Sequence, residues 1–240
     1  MSSFDRNMPS GKLYLIPVPI AEGKNKTLSE EVGLILPSIK HFFVENVRTA
    51  RRFIKSVHPD AVIDSLQFSE INKHNGVDAT LLKTWLKEGH DVGVMSESGC
   101  PGIADPGADV VALAQQMNIE VMPLVGPSSI TLSLMASGFN GQSFCFNGYL
   151  PVKDPERSKQ IKLLEAASLK YRQTQIFIET PYRNNALLND LLKHCNENTR
   201  LCIAYYLTSD TSFVKSKTIK QWKSENCVLE KQPCVFLILA

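Results

Sequence analysis

Val92 to Gly107 reads VGVMSESGCPGIADPG, and the change of character halfway along it decides how the whole chain is read. It begins as a β-branched apolar run suited to a buried strand. It then breaks into a segment punctuated by Gly99, Pro101, Gly102, Pro106 and Gly107, where glycine admits close backbone approach and proline stiffens the path. Strand-to-helix connections normally take about 2–6 residues, yet roughly ten pass here before ADVVALAQQM resumes helical spacing through Val110, Val111 and Ala114. In open α/β sheets, ligands bind in the loops outside the carboxyl ends of strands. A surface Ω-loop is the other reading of the same composition.

On the amino-terminal side, LYLIPV (Leu13 to Val18) is a short apolar strand stopped by Pro17 and Pro19. Thr27 with Glu30 three residues on fits a capping box for a helix carrying Leu28, Val32, Ile35 and Ile39 on one face, with Pro37 as its end. HFFVEN is a second buried strand that delivers Glu45 and Asn46 to its carboxyl end. The helix VRTARRFIKS follows, with Arg48, Arg51, Arg52 and Lys55 close together. That cluster reads either as a phosphate-binding face or as an ordinary solvated one. An alternating segment from Val62 to Ile71 suits a strand, and DATLLKTWLKEG suits a helix ended by Gly89.

Beyond the long loop come the strand IEVMPLV and the helix ITLSLMAS, whose start is marked by Gly126, Pro127 and a Ser128 or Ser129 cap. Strand and helix alternate throughout residues 1–125, which predicts a parallel sheet covered on both faces. From Gln142 the pattern changes. SFCFNGYL, QTQIFIET, RLCIAYYLT, SFVKSKT and CVFLILA read as strands, with ERSKQIKLLEAA and RNNALLNDLLKHC as the two convincing helices between them. Residues 126–240 are therefore expected to form a second α/β domain with a mixed sheet. Two such domains joined by GPSS leave a cleft, the usual place for a small-molecule site.

With 240 residues, 43% of them hydrophobic, the chain can fill real cores. A formal charge of +2 sets up no global field that demands a polyanion, although local basic patches remain possible. Six cysteines lack C-x-x-C spacing, and MSSFDRNMPS does not read as a secretory signal. No apolar run reaches the roughly 18 residues of a membrane span, so a cytoplasmic protein with reduced thiols and no membrane partner is expected. The histidines at 41, 58, 74, 90 and 194 have no metal-ligand spacing, and no metal is called for. Dinucleotide, phosphate-loop, zinc-protease and nucleophile-elbow motifs are absent from the sequence.

Six loop segments in one order carry a resemblance. They are GKLYLIPVPIAE, VENVR (Val44 to Arg48), SESGCPGIADPG (Ser96 to Gly107), VGPSS (Val125 to Ser129), FNGYLP (Phe146 to Pro151) and IETPYR (Ile178 to Arg183). Together they resemble the tetrapyrrole methylase superfamily of S-adenosylmethionine-dependent methyltransferases, and within it the branch that 2′-O-methylates a cytidine of small-subunit ribosomal RNA. That branch has GTLYVVATPIGN, AEDTR, SDAGTPxISDPG, PGPSA, FxGFLP and YESPHR at these places. The chain departs from it at Asn46 and Val47, where the branch has Asp and Thr, and in PIAEGKN, where it has PIGNLGD.

The resemblance implies two α/β domains with the cofactor in the cleft between them, and a homodimer. It implies S-adenosylmethionine contacts at Pro17, Ser96, Gly99, Ile103, Ser128, Tyr149 and Pro181, with Ala204 and Leu207 lining the far side. Methyl transfer from a sulfonium needs orientation, exclusion of water and a competent nucleophile. A ribose hydroxyl has a very high pKa, so a base or strong local field would help, and Glu45, Glu97 and Glu179 are the carboxylates at strand ends. Arg48 suits a phosphate, while Arg183 reads either as a functional group or as an ion-pair partner that orients Glu179. The acceptor implied is RNA, with a tetrapyrrole or other small molecule as the alternative. A relative that binds the cofactor without catalysis is the reading from a different class.

Overall fold

A computed structural model describes residues 10–71 and 76–240. His74 and nearly all of the polar leader lie outside the described residues. The chain divides at Pro127 and Ser128 into two compact units.

The first unit is built on five parallel strands, β1 (Leu13–Leu15), β2 (His41–Val44), β3 (Gln67–Glu70), β4 (Val92–Met95) and β5 (Val121–Pro123), in the order β3-β2-β4-β1-β5. Both β2 and β4 are buried along their whole length. Successive strand residues point to opposite faces, and Phe42 and Phe43 show the consequence. Phe42 packs with Val32, Ala50 and Ile54 of helices α1 (Glu30–Ile35) and α2 (Val47–Val57). Phe43 packs with Leu82, Trp85 and Val110 of α3 (Ala79–Lys87) and α4 (Ala108–Gln116). One strand thus anchors helices on both faces of the sheet, and truncating either fully buried ring to Ala costs about 3–5 kcal/mol.

The start of α1 differs from the sequence expectation. Thr27 does not cap it. Its hydroxyl donates to the Lys24 carbonyl at 2.8 Å and closes a short 3-10 turn, Asn25–Thr27. Ser29, in extended conformation, precedes the helix instead. The helix ends at Ile35 and tightens into a 3-10 turn at Leu36–Ser38, because Pro37 has no N–H to continue the α pattern.

The second unit holds β6 (Phe144–Tyr149), β7 (Thr174–Glu179), β8 (Arg200–Tyr205), β9 (Phe213–Thr218) and β10 (Cys234–Leu239), ordered β6-β7-β10-β8-β9. The β6/β7 pair is parallel and the others antiparallel, so the sheet is mixed as expected. Alternation along β10 again serves two cores. Val235 and Leu237 meet α5 (Ser129–Ser137), while Phe236 and Ile238 meet α6 (Glu156–Tyr171) and α7 (Asn184–His194). A short helix missing from the sequence reading, α8 (Ile219–Lys223), is started by a true capping box. The Thr218 hydroxyl accepts from the Gln221 N–H, and the Gln221 side chain accepts from the Thr218 N–H. It buries Trp222, whose indole N–H donates to the Leu201 carbonyl at 2.8 Å.

Candidate active site at the carboxyl ends of the strands

Three loops of the first unit are locked together by backbone contacts. Val18, after β1, and Gly99, after β4, exchange hydrogen bonds of 2.9 and 3.1 Å. Gly99 sits at φ +69°, a conformation that a β-branched residue resists. The third loop closes on the first, because Gly126 lies so near Pro17 that a Cβ there would stand 2.2 Å from the proline Cβ. The Cys100 thiol links the second to the third by donating to the Pro127 carbonyl at 3.4 Å. Pro17 and Ser96 are buried, and the Ser96 hydroxyl donates to the Ser98 carbonyl. Ile103 is 49% exposed on the far part of the loop, which is folded back by a bond from Gly102 N–H to the Pro106 carbonyl.

Next to this knot, the first turn of α2 is capped by two side chains. Asn46 accepts from the N–H groups of Arg48 and Thr49 at 3.0 and 3.2 Å. Glu70 accepts from Val47 N–H at 3.1 Å. A helix start whose donors are satisfied by the protein has little left to offer a phosphate. Asn and Asp cap equally well, so Asn46 keeps the local geometry while removing a charge. Glu45 accepts from the Glu97 N–H at 3.0 Å and fixes the loop after β4 to β2. The Glu97 carboxylate itself has no hydrogen-bond or ion-pair partner among the described residues, and its residue is exposed.

The four basic residues of α2 also part company. Arg51 lies over the Phe68 ring at 5.4 Å, and Lys55 donates to the Pro59 carbonyl at 2.8 Å. The exposed Arg48 and Arg52 guanidiniums have no such partner among the described residues. They are four apart and so share a helix face. Arg52 borders a cavity of about 450 Å³ between the loop after β1 and α2, with Ser96 and Glu97 also in its wall.

In the second unit, Ser128 leads into α5 in extended conformation. Tyr149 is 57% exposed at the end of β6, Pro181 is half-buried after β7, and Ala204 is buried in β8. Leu207 lies between Tyr206 and Thr208, at φ +41° and +70°. Positive φ at two non-glycine residues stores strain, about 1–3 kcal/mol each.

Glu179 is buried and fully engaged. One carboxylate oxygen accepts from Thr180 N–H at 2.7 Å and from Arg183 at 2.7 and 3.0 Å; the other accepts from Arg157 at 3.0 Å. Arg157, 3% exposed, also donates to the Pro151 carbonyl at 2.6 Å and to Asp190 at 3.1 Å. A single guanidinium thereby ties FNGYLP, IETPYR and α7 together. Sequence reasoning missed both Glu70 and Arg157. Glu70 obeyed the strand-end rule that selected Glu45, whereas nothing local distinguishes Arg157 from a solvated helix residue.

In the second unit, burial pushes the thiols of Cys195 and Cys202 up to about 12 and 11 and also raises Cys234. Among the described residues no group of three His, Cys, Asp or Glu is arranged to hold a metal, and no helix is long and apolar enough to cross a membrane.

Residues 28–222 match the family model described as Tetrapyrrole (Corrin/Porphyrin) Methylases. The chain is 28% identical over 239 residues to the ribosomal RNA small subunit methyltransferase I of Vibrio cholerae, covering 98% of this chain and 80% of that protein. It is 31% identical to the protein of the same name from Streptococcus pyogenes, over 79% of this chain and 63% of the relative. The crystal structure of the methyltransferase CobJ shares the fold, with a TM-score of 0.61 at 17% identity, over 96% of this chain and 94% of that one.

Arg157 sets the first test. Arg157→Met removes the partner of one oxygen of buried Glu179 and of part-exposed Asp190, while Arg183 stays on the other Glu179 oxygen, and is expected to cost about 1–3 kcal/mol of stability, read from the shift in a urea unfolding curve. Adding Glu179→Gln should restore part of the loss. An Arg157→Met protein as stable as wild type would contradict the assigned role.

Proposed function

The chain belongs to the tetrapyrrole (corrin/porphyrin) methylases and is a methyltransferase, and from that premise we propose that it transfers the methyl group of S-adenosylmethionine to a ribosomal RNA nucleotide. The observation that carries the acceptor is the similarity, across nearly the whole chain, to relatives named as small-subunit ribosomal RNA methyltransferases. Arg48 and Arg52, without a hydrogen-bond or ion-pair partner among the described residues, support the same choice beside the strand-end glutamates, because phosphates take bidentate guanidinium bonds.

The residues present fit the cofactor. Two buried polar atoms, Asn184 Oδ1 and Thr208 Oγ1, have no hydrogen-bond partner among the described residues, and they adjoin the segments of Pro181 and Leu207. S-adenosylmethionine carries amine and hydroxyl groups that such atoms need, and when bound it supplies a methyl already activated by the sulfonium charge. The chain's part is then to bind, orient and exclude water. The locked loops around Val18, Gly99 and Gly126 give a backbone frame that needs no reorganisation. Of the three nominated carboxylates, Glu45 and Glu179 hold structure, which leaves Glu97 to take the proton of the acceptor hydroxyl. Association into a homodimer belongs to the same reading; sedimentation at twice 26.7 kDa supports it, and a monomer at micromolar concentration contradicts it.

Gly99→Val should abolish S-adenosylmethionine binding in calorimetry while the circular dichroism spectrum stays unchanged; full-strength binding would remove this loop from the site. For the acceptor, Arg48→Ala with Arg52→Ala should flatten the salt dependence of RNA binding, since each lost phosphate contact takes roughly one counterion from the slope. Cofactor affinity should hardly move. An unchanged slope would count against RNA.

A further inference from the structure

The cavity beside Arg52 opens off the loop frame, sharing Val18 and Ser96 with it, and adds walls and charges of its own. Its walls are the loop after β1, with Ile20 and Ala21, and the α2 face of Ala50 and Phe53, while Ser96 and Glu97 contribute from the end of β4. These walls are largely apolar, and all of them belong to the first unit. At about 450 Å³ the cavity falls toward the small end of ligand pockets, which span about 300–1,000 Å³. That is room for one base with its ribose and too little for a tetrapyrrole macrocycle. Arg52 is the single cation of the lining, against two carboxylates, Glu22 and Glu97. Such a set suits the entry of one anionic group together with several N–H or O–H donors.

We propose that this cavity takes one ribonucleotide of the acceptor strand out of its stack, with Arg52 on the phosphate, the base between the β1 loop and α2, and a ribose hydroxyl toward Glu97. The proposal rests on the RNA reading and adds to it a defined pocket in which the acceptor is held. Extrusion of the target nucleotide follows from the geometry, because apolar walls on two sides receive a flat ring only after it has left its neighbours. Arg48, one turn earlier on the same face, lies along the path of the adjoining phosphate. Arg51 lies over Phe68 and Lys55 donates to the Pro59 carbonyl, and neither lines the cavity.

The test uses the full chain with labelled methyl groups and three probes in NMR titrations: uridine 5′-monophosphate, uridine and inorganic phosphate. A pyrimidine is chosen so that the probe does not imitate the adenosine of the cofactor. The nucleotide should shift the Ile20, Ala21 and Ala50 methyls; uridine should shift the same methyls with about tenfold weaker affinity, the value of one charge-assisted bond. Phosphate alone should leave them unmoved. Arg52→Gln should erase the difference between nucleotide and nucleoside, and Ser56→Trp, at the exposed rim, should block both. Shifts confined to other residues, or equal nucleotide affinity in wild type and both variants, would overturn the proposal. Methyl transfer to small-subunit RNA separates it from the function it rests on. Transfer with an unchanged KM in Ser56→Trp rejects the pocket and keeps the RNA reading. Nucleotide binding in the cavity by a protein that methylates no ribosomal RNA keeps the pocket and rejects that reading.

Discussion

Two hydrogen bonds between Val18 and Gly99 hold the candidate site of the first unit together. They form because β1 and β4 are adjacent parallel strands whose loops leave the same edge of the sheet, and because Gly99 adopts a left-handed conformation at little cost. Pro17 packed on the bare Cα of Gly126 adds the loop after β5 to the same knot. The cavity wall depends on it in turn, since Val18 to Gly23 run directly from the bridge into that wall. A rigid frame of this kind meets the main need of methyl transfer, in which orientation contributes more than acid or base strength.

Charge is divided between holding structure and meeting ligands. Arg157, Glu179, Asp190 and Arg183 form a network centred on fully buried groups, which fixes segments more than it adds net stability. Glu45, Glu70 and Asn46 are spent on backbone N–H groups around the start of α2. Arg48, Arg52 and Glu97 are exposed and have no hydrogen-bond or ion-pair partner among the described residues. The loss of a carboxylate at Asn46 therefore removes charge from a capping position, and the groups facing the cavity are untouched by it.

The sheets were legible because β2, β4 and β10 are continuous apolar runs, and consecutive residues such as Phe42 and Phe43 each require a separate core. The long connection after β4 was legible from Gly and Pro density, and the resemblance rested on the same loops. Other features depend on groups distant in sequence. Thr27 looked like a cap until the Lys24 carbonyl claimed its hydroxyl. Arg157 gains its meaning from partners at 151, 179 and 190. Within the basic cluster of α2, Arg51 and Lys55 differ from Arg48 and Arg52 only through Phe68 and Pro59. The capping box of α8, Thr218 with Gln221, was present in the sequence and went unread because the segment is only five residues long.

The central claim is that this chain methylates the RNA of the small ribosomal subunit. Its most direct test is mass spectrometry of nucleosides from that RNA, comparing cells that contain the protein with otherwise identical cells that lack it. The account predicts that one methylated nucleoside disappears with the protein and returns when the wild-type chain is restored. An identical set of modified nucleosides in the two RNAs would contradict it.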